Sequence, residues 1–306
     1  MSGSDLGRVE AALRSALGDR VRAGFPLAPL TTFRIGGPAA LYLEAESEAD
    51  LAAAGQAWAA TPVPLLVLGR GSNVLVADGG FPGLVLRLGR SFRWSAREGD
   101  RITAGAATPL PALAGVAQRH GLTGLEFGVA IPATLGGAVC MNAGAHGREM
   151  AEVVEGIEVF SLRRGLGVSV HTAQAGFAYR SSALGSDAVV VSVRIHLAQG
   201  GGEAIRTEMD EVREWRRATQ PLAEPNCGSV FTNPPGDHAA RLIEAAGAKG
   251  RRVGGARISP KHANFIVAEP GARAADVALL IEEVRSMVRS SSGISLETEV
   301  RMVGSF

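Results

Sequence analysis

The amino-acid sequence predicts an α+β fold, and three observations lead to that prediction. The chain has 306 residues, of which 46% are hydrophobic, so it is long enough to form two domains with buried cores. Strand-like and helix-like periodicities both occur along it, but they do not follow the regular β-α-β order that builds a doubly wound sheet. The sequence also contains no internal repeat.

Local signals predict three helices in the first half of the chain. The first helix is amphipathic, because four apolar residues recur at helical spacing: Leu6, Val9, Leu13 and Leu17. Ser47, with Asp50 three residues later, is a capping-box-like start for a second helix that runs through Trp58. Pro109, directly after Thr108, opens the third helix.

The strands of the same half are predicted from alternating or continuous apolar runs between turn residues. They comprise ALYLEA (40–45), VPLLVLG (63–69), NVLVA (73–77), GLVLRL (83–88), a hairpin at 94–105 with its turn at Glu98-Gly99-Asp100, and runs at about 153–160, 167–171 and 188–197. Between the third helix and the last three strands lies a long stretch rich in Gly and Ala, 121–147.

The segment QGGGEA (199–204) is the best candidate for a linker. A charged helix from 203 to about 218 follows it and is stopped by Gln220-Pro221. The remaining elements are a helix near 238–246, short strands around Val253 and Phe265, and a helix from about 274 to 289 with the apolar stripe Val277, Leu280, Ile281, Val284 and Val288.

The last segment, ISLETEVRMV (294–303), is predicted to be one strand with two distinct faces. The apolar face would carry Ile294, Leu296, Val300 and Met302, and the polar face Ser295, Glu297, Glu299 and Arg301.

Composition excludes several classes of function. The net charge is +1, so the chain has no general attraction to nucleic acid or to an anionic membrane. Cys140 and Cys227 form no CxxC pair and the histidines form no HxxxH or HxH pair, so we expect neither a disulfide scaffold nor a metal site. No secretion signal is evident, and no apolar run reaches the roughly 20 residues that span a bilayer. We therefore expect a soluble, cytoplasmic protein.

GRGSN, which comprises Gly69, Arg70, Gly71, Ser72 and Asn73, leaves a predicted buried strand. A glycine loop of this kind can direct successive N–H groups at a phosphate, with a serine hydroxyl beside them. The familiar nucleotide-binding patterns are absent, because there is no GxxxxGK[ST] and Val74 stands where GxGxxG needs its last glycine. The loop is therefore either an anion-binding site or an ordinary tight turn.

The stretch IPATLGGAVCMNAGAHG (131–147) consists mainly of small side chains. Small residues let the main chain pack directly against a flat or extended ligand and offer its amide groups as donors. A close contact between a helix and a strand in the core would select the same residues. The pattern alone leaves both interpretations open.

The segment NCGSVFTNPPG (226–236) places a thiol and a hydroxyl, Cys227 and Ser229, on either side of a glycine. Side chains two residues apart on an extended segment project to one side, so both groups are expected to face one cleft. The thiol is the more acidic group, with a reference pKa of about 8.5. Residue chemistry gives no reason to prefer Ser229, and it favours ordinary exposed positions for Arg180 and Glu299.

Taken together, eight motifs resemble the UDP-N-acetylenolpyruvylglucosamine reductase (MurB) family, over residues of about 24 to 303. In chain order they are TTFRIGGPA, LGRGSNVLVAD, GLTGLEFGVAIPATLGGAVCMNAGAHG, YRSS, QPLAEPNCGSVFTNPPG, LIEAAGAKGRRVGGARIS, KHANFIV and ETEVR. The resemblance implies an enzyme that contains FAD and uses NADPH to reduce the enolpyruvyl ether of UDP-N-acetylglucosamine enolpyruvate, with no obligate protein partner.

The resemblance also implies a domain arrangement. An FAD-binding domain of the vanillyl-alcohol-oxidase (PCMH) type is expected at 20–202, and a smaller α+β substrate-binding domain at 206–293. The final strand, 294–306, carries Glu299 and is expected to return to the FAD part.

Matching the family motifs to this chain assigns residue roles. The catalytic positions fall on Arg180, Ser229 and Glu299: Arg180 would steady the developing carboxylate anion, Ser229 would donate a proton, and Glu299 would orient Arg180 or the substrate, or polarise the carboxylate while protonated. The cofactor-binding positions are Gly69, Arg70, Gly71, Ser72, Asn73, Ile131, Pro132, Gly136, Gly137, Asn142 and Gly144. Substrate-binding positions are Asn233, Lys249 and Lys261, and Cys227 is assigned to packing.

The chain departs from the family pattern in four places. Ala130 and Ala133 replace glycines of a GIPG motif, Arg70 replaces a glycine, and Thr219 stands where many relatives have lysine. Two rival interpretations remain from the sequence: an oxidase of a small alcohol on the same FAD scaffold, and a UDP-sugar-binding protein without flavin.

Overall fold

The computed structural model describes residues 3–306, which form two compact units. The first unit comprises the chain up to Gly24, Ala40–Arg70 and Gly83–Glu214. The second comprises Phe25–Ala39, Gly71–Pro82 and Trp215–Phe306. The chain therefore passes from the first unit to the second inside the glycine loop, between Arg70 and Gly71.

Seven α-helices and eighteen strands occur among the described residues. The helices are α1 (Gly3–Leu17), α2 (Glu48–Ala60), α3 (Leu110–Arg119), α4 (Leu135–Cys140), α5 (Gly202–Thr219), α6 (Ala239–Ala245) and α7 (Ala274–Ser292). The strands are β1 (Val21–Pro26), β2 (Pro38–Ala45), β3 (Leu65–Val67), β4 (Val74–Val76), β5 (Phe81–Leu88), β6 (Ser95–Glu98), β7 (Arg101–Gly105), β8 (Leu122–Thr123), β9 (Gly144–Ala145), β10 (Arg148–Glu149), β11 (Val154–Ser161), β12 (Leu166–His171), β13 (Ala188–His196), β14 (Ala198–Gln199), β15 (Arg252–Val253), β16 (Ala256–Ile258), β17 (Ile266–Ala268) and β18 (Arg301–Val303).

Two sheets organise the first unit. One has the order β1-β2-β5-β3, with β3 parallel to β5, and shares a core with α1 and α2. The other is antiparallel, with the order β12-β11-β13-β7-β6, and packs with α3 and α4. The predicted first helix is confirmed, since Val9 and Leu13 are fully buried. The predicted hairpin is also confirmed, because Glu98 pairs with Arg101 across the turn.

The second unit contains the three-stranded antiparallel sheet β15-β16-β17, and α6 and α7 share its core. All five residues of the predicted α7 stripe are fully buried: Val277, Leu280, Ile281, Val284 and Val288. β18 pairs in parallel with β4, in the register Arg301 to Val74. The strand that follows the glycine loop is therefore held by the last strand of the chain.

The prediction of one regular strand from 294 to 303 is wrong. Only Arg301–Val303 forms a strand, and Met302, expected on the apolar face, is 36% exposed. The N–H groups of Glu299 and Val300 both donate to the carbonyl of Val230, at 2.8 and 3.3 Å. Two residues thus oppose one, which shifts the alternation of faces as a β-bulge does.

The glycine- and alanine-rich stretch contains an element that its composition conceals. Leu135–Cys140 forms α4, and the hydroxyl of Thr134 caps it by accepting from the N–H of Gly137 at 3.3 Å. Leu135 and Val139 are fully buried and anchor this short helix in the core.

Two absences hold for residues 3–306. No helix in that range combines the length and the apolar character needed to cross a bilayer. The same residues include no group of three or more His, Cys, Asp or Glu side chains arranged to hold a metal ion.

Candidate active site

The first unit brings together the start of the glycine loop and the small-residue stretch. A Cβ atom on Gly69 would lie 2.6 Å from the Thr134 hydroxyl oxygen, which is the cap of α4. A Cβ on Gly137 would lie 3.2 Å from the same oxygen. The missing side chain of Gly69 therefore lets the loop lie directly against the start of the helix, and that of Gly137 leaves room for the Thr134 cap.

The rest of the loop belongs to the second unit and has a conformation that favours glycine. Gly71 has a φ of +61°, and a Cβ there would lie 2.4 Å from the carbonyl oxygen of Leu30. Asn73 forms two hydrogen bonds to the segment 299–301: its side-chain amide donates to the carbonyl of Glu299 at 3.0 Å, and its main-chain carbonyl accepts from the N–H of Arg301 at 3.0 Å. The glycine loop is thereby tied to the segment that carries Glu299.

Some residues of the small-residue stretch are packed in the core, and others lie at the surface. Gly136 is buried, and a Cβ atom there would lie 3.0 Å from the Cβ atom of Ala106. Gly144 pairs with Glu149 in the β9–β10 ribbon, where a Cβ would meet the carbonyl of Arg148 at 2.4 Å. Ile131 and Gly137 are half-buried and Pro132 is exposed. Close core packing therefore explains part of the stretch, and the remainder is accessible.

Asn142 is fully buried, and both ends of its side-chain amide bind main chain. Its Nδ2 donates to the carbonyl of Ala178 at 3.1 Å, and its Oδ1 accepts from the N–H of Ala151 at 2.9 Å. The predicted cofactor-binding side chain thus fastens the small-residue stretch to the loop that precedes Arg180.

Arg180 lies on a turn that two further hydrogen bonds fix to the same stretch. Its Nη2 donates to the carbonyl of Gly144 at 3.0 Å, and the hydroxyl of Ser182 donates to the carbonyl of Cys140 at 2.8 Å. The backbone of Arg180 has a φ of +56°, which is uncommon for a residue with a side chain. The guanidinium lies 4.9 Å from the centre of the Tyr179 ring. The surrounding fold therefore determines where this cation sits.

Cys227 and Ser229 do not face one side, contrary to the expectation from an extended segment. Gly228 between them has a φ of +79°, which breaks the alternation. Cys227 is 3% exposed in the apolar core, whereas Ser229 is half-buried. Burial, together with the negative charge of Glu299, raises the pKa of the Cys227 thiol well above its usual range. A buried thiol of this kind does not supply a thiolate at neutral pH.

Ser229 and Glu299 lie on segments that are hydrogen-bonded to each other. The carbonyl of Val230, the residue after Ser229, accepts from the N–H of Glu299 at 2.8 Å. Two residues further, the N–H of Thr232 donates to the carbonyl of Glu297 at 2.9 Å. The second unit thus brings together two of the three predicted catalytic residues, which are far apart in sequence.

The three predicted substrate-binding residues are exposed and take part in local contacts. The Oδ1 of Asn233 accepts from the N–H of Ala239, the first residue of α6, at 3.0 Å. Lys249 forms an ion pair with Glu244 at 2.9 Å, and Lys261 donates to the carbonyl of Arg217.

Asn264 is a residue of this region that sequence patterns did not single out. Its side chain is buried and bonds to the main chain of Phe231, directly beyond Ser229 and Val230. An amide inside the otherwise apolar run ANFIV is the signal that points to it, because buried amides are retained where both ends find a partner.

Two family profiles match the chain. The C-terminal domain of UDP-N-acetylenolpyruvoylglucosamine reductase matches residues 220–303, which include Ser229 and Glu299. An FAD binding domain matches residues 39–170, which include the glycine loop and the small-residue stretch.

Whole-chain comparisons agree with these matches. The chain is 46% identical to a UDP-N-acetylenolpyruvoylglucosamine reductase of Anaeromyxobacter sp. (strain Fw109-5), over 100% of this chain and 97% of that protein. The crystal structure of UDP-N-acetylenolpyruvylglucosamine reductase (MurB) from Thermus caldophilus superposes with a TM-score of 0.81 and 39% identity, covering 93% of this chain and 99% of that one.

A more distant structure is similar in fold alone. Phl p 4.0202, a glucose dehydrogenase, superposes with a TM-score of 0.50 at 12% identity, over 74% of this chain and 53% of that one. The predicted α+β class, with an FAD-binding domain of the vanillyl-alcohol-oxidase type, is confirmed.

Proposed function

The chain belongs to the UDP-N-acetylenolpyruvoylglucosamine reductase (MurB) family, and from that premise we propose how its residues carry out the reaction. The protein is an FAD-containing oxidoreductase that takes its electrons from NADPH. It reduces UDP-N-acetyl-3-O-(1-carboxyvinyl)-glucosamine to UDP-N-acetylmuramate, a step in the synthesis of peptidoglycan precursors.

The observation that carries the proposed mechanism is the pairing of the Ser229 and Glu299 segments. A proton donor and a carboxyl group on hydrogen-bonded segments of the same unit can act on one small substrate group. The burial of Cys227 leaves the hydroxyl of Ser229 as the accessible donor of this segment.

The glycine loop fits the diphosphate of FAD. Within residues 3–306, the four N–H groups of Arg70, Gly71, Ser72 and Asn73 donate no hydrogen bond to another protein group. Successive N–H groups in a loop with a left-handed residue form a concave site for an anion. We assign FAD to this loop and to Ile131, Pro132, Gly136, Gly137, Asn142 and Gly144, with Asn142 and Gly136 shaping the site from within the core.

Arg180 binds the carboxylate of the enolpyruvyl group. Once reduced by NADPH, FAD held in this site would supply hydride to the methylene carbon of that group. As electrons move toward the carboxylate, the permanently charged guanidinium of Arg180 interacts more strongly with it, which stabilises the transition state more than the ground state. The hydrogen bond to the carbonyl of Gly144 fixes the guanidinium before substrate arrives.

Ser229 donates a proton to the carbon next to the carboxylate. A hydroxyl is a weak acid, but the acceptor is a strongly basic carbanion, so transfer requires only a short, fixed distance. Glu299 orients the substrate or, when protonated, polarises its carboxylate. Asn233, Lys249 and Lys261 supply contacts to the UDP-sugar.

We further propose that residues 20–202 bind FAD, that 206–293 bind the UDP-sugar, and that 294–306 return to the FAD part. The parallel pairing of β18 with β4, the strand that follows the glycine loop, supports the last assignment. We propose that the enzyme acts in the cytoplasm, without nucleic acid and without an obligate protein partner.

Gly69→Ala is expected to weaken FAD binding about five- to tenfold, since a helix cap contributes about 1 kcal/mol and the added methyl group displaces the Thr134 cap. Titration of the apoprotein with FAD, followed by flavin fluorescence, measures the change. Gly115→Ala in α3 is the matched control, because its Cβ meets only Arg119 at 3.6 Å. Equal FAD affinity for the two variants would contradict the role of Gly69.

The flavin content of the purified protein tests the assignment as a whole. We expect a yellow protein that releases FAD on denaturation and turns over the enolpyruvyl substrate with NADPH. A flavin that stays attached to the denatured chain would instead favour the small-alcohol oxidase, and a colourless protein a UDP-sugar-binding protein.

A further inference from the structure

Asn264 lies just before β17 and is 4% exposed. Its side-chain Oδ1 accepts from the N–H of Phe231 at 2.9 Å, and its Nδ2 donates to the carbonyl of Phe231 at 2.8 Å. Its main-chain carbonyl accepts from the N–H of Val230 at 2.9 Å. One residue therefore satisfies three polar groups of the two residues that directly follow Ser229.

The side chain of Asn264 forms the two hydrogen bonds to the Phe231 main chain that a neighbouring strand would otherwise form. The chain turns here, because the N–H of Phe265 donates to the carbonyl of His262 at 3.0 Å, and β17 begins only at Ile266. A carboxamide carries a donor and an acceptor side by side and can pair with both groups of one residue. Phe231 is 1% exposed, so water is not available to replace these bonds.

The opposite edge of the same segment is bonded to the Glu299 strand. The carbonyl of Val230 accepts from the N–H of Glu299 at 2.8 Å, and the N–H of Thr232 donates to the carbonyl of Glu297 at 2.9 Å. Residues 230–232 are thus held on one side by Asn264 and on the other by the segment that carries Glu299. The position of the Ser229 main chain follows from both attachments.

We propose that Asn264 is a positioning residue for proton transfer: its carboxamide fixes the 230–231 main chain and so sets the place of the Ser229 hydroxyl relative to Glu299. The inference rests on the proposed role of Ser229 as the proton donor. Proton transfer to carbon is sensitive to distance, and a displacement of about 1 Å lowers a rate by about 100-fold.

Asn264→Asp is the conservative test, because it keeps the shape and the acceptor but replaces the donor that faces the Phe231 carbonyl. Asn264→Ser is the second variant, to be used if the buried aspartate prevents folding. In either case we expect the return of flavin absorbance on addition of the enolpyruvyl substrate to slow by about 10- to 100-fold. Bleaching of the flavin by NADPH should stay within about twofold of the parent.

A double-mutant cycle separates positioning from general stability. If Asn264 acts through the Ser229 hydroxyl, Asn264→Ser should change the rate by less than about twofold when Ser229 is already alanine. Effects that multiply in the double variant would overturn the inference and leave the role of Ser229 intact. A Ser229→Ala enzyme that returns flavin absorbance at the parental rate would instead overturn both.

Asp276→Ala is the matched control in the same unit. The Asp276 carboxylate accepts from the N–H groups of Arg273 and Gly255, at 2.9 and 3.1 Å, at the start of α7. The variant removes two hydrogen bonds to main chain, at least as many as Asn264→Asp removes, and should lower the melting temperature without slowing either half of the reaction. Equal slowing by Asp276→Ala would show that loosening of the unit is sufficient, and would overturn the inference.

Discussion

Ser229→Ala should let NADPH bleach the bound flavin at the parental rate, yet slow its reoxidation by the enolpyruvyl substrate by about 10²- to 10⁴-fold, the usual contribution of a positioned general acid. The reason is that the hydroxyl has no task until electrons reach the substrate. Rapid mixing under anaerobic conditions measures the two halves separately. An NADPH step as impaired as the second step would mean that Ser229 is not the proton donor.

Two variants of the same segment sharpen this prediction. Ser229→Cys should retain part of the turnover, because a thiol also donates a proton. Cys227→Ala should leave both halves of the reaction unchanged, since that side chain is 3% exposed in the core and does not reach the substrate. Loss of turnover in a folded Cys227→Ala variant would indicate that the Cys227 thiol takes part in proton transfer.

Arg180→Lys should lower the rate of substrate reduction by about 10²- to 10³-fold, the effect typical of removing one donor from a site that stabilises a developing anion. Lysine keeps the charge but loses the planar fork that binds a carboxylate through two N–H groups. It also loses the hydrogen bond to the carbonyl of Gly144, which fixes the cation. Steady-state kinetics should show a fall in kcat as well as in kcat/KM.

Arg163→Lys is the matched control for this second prediction. The Arg163 guanidinium lies 5.4 Å from the centre of the Trp58 ring, so it also pairs a cation with an aromatic ring, but it has no proposed role in the reaction. Its kinetics should equal those of the parent. If Arg180→Lys changed KM alone, Arg180 would bind the substrate equally in the ground and transition states and would not stabilise the anion.

The sequence predicted the elements whose signals are local. The α7 stripe is an example, because five apolar residues at helical spacing can be buried on only one face. The short helix α4 was not predicted, since its Gly-Gly pair has low helix propensity and its stability comes from the Thr134 cap and from two buried side chains.

The features that position the candidate site are non-local, and local patterns do not report them. The shortened final strand results from two N–H groups that share the carbonyl of Val230, which lies far away in sequence. The different surroundings of Cys227 and Ser229 follow from the positive φ of Gly228. Family motifs supplied the assignment of Ser229, and its role stays a prediction that the Ser229 variants test.

Anaerobic single turnover of the purified holoenzyme tests the central claim most directly. One equivalent of NADPH should bleach the flavin, and the enolpyruvyl UDP-sugar should then restore the flavin absorbance while an equal amount of UDP-N-acetylmuramate forms. Bleached flavin that the enolpyruvyl sugar leaves bleached, or product formed by protein that contains no flavin, would contradict the account.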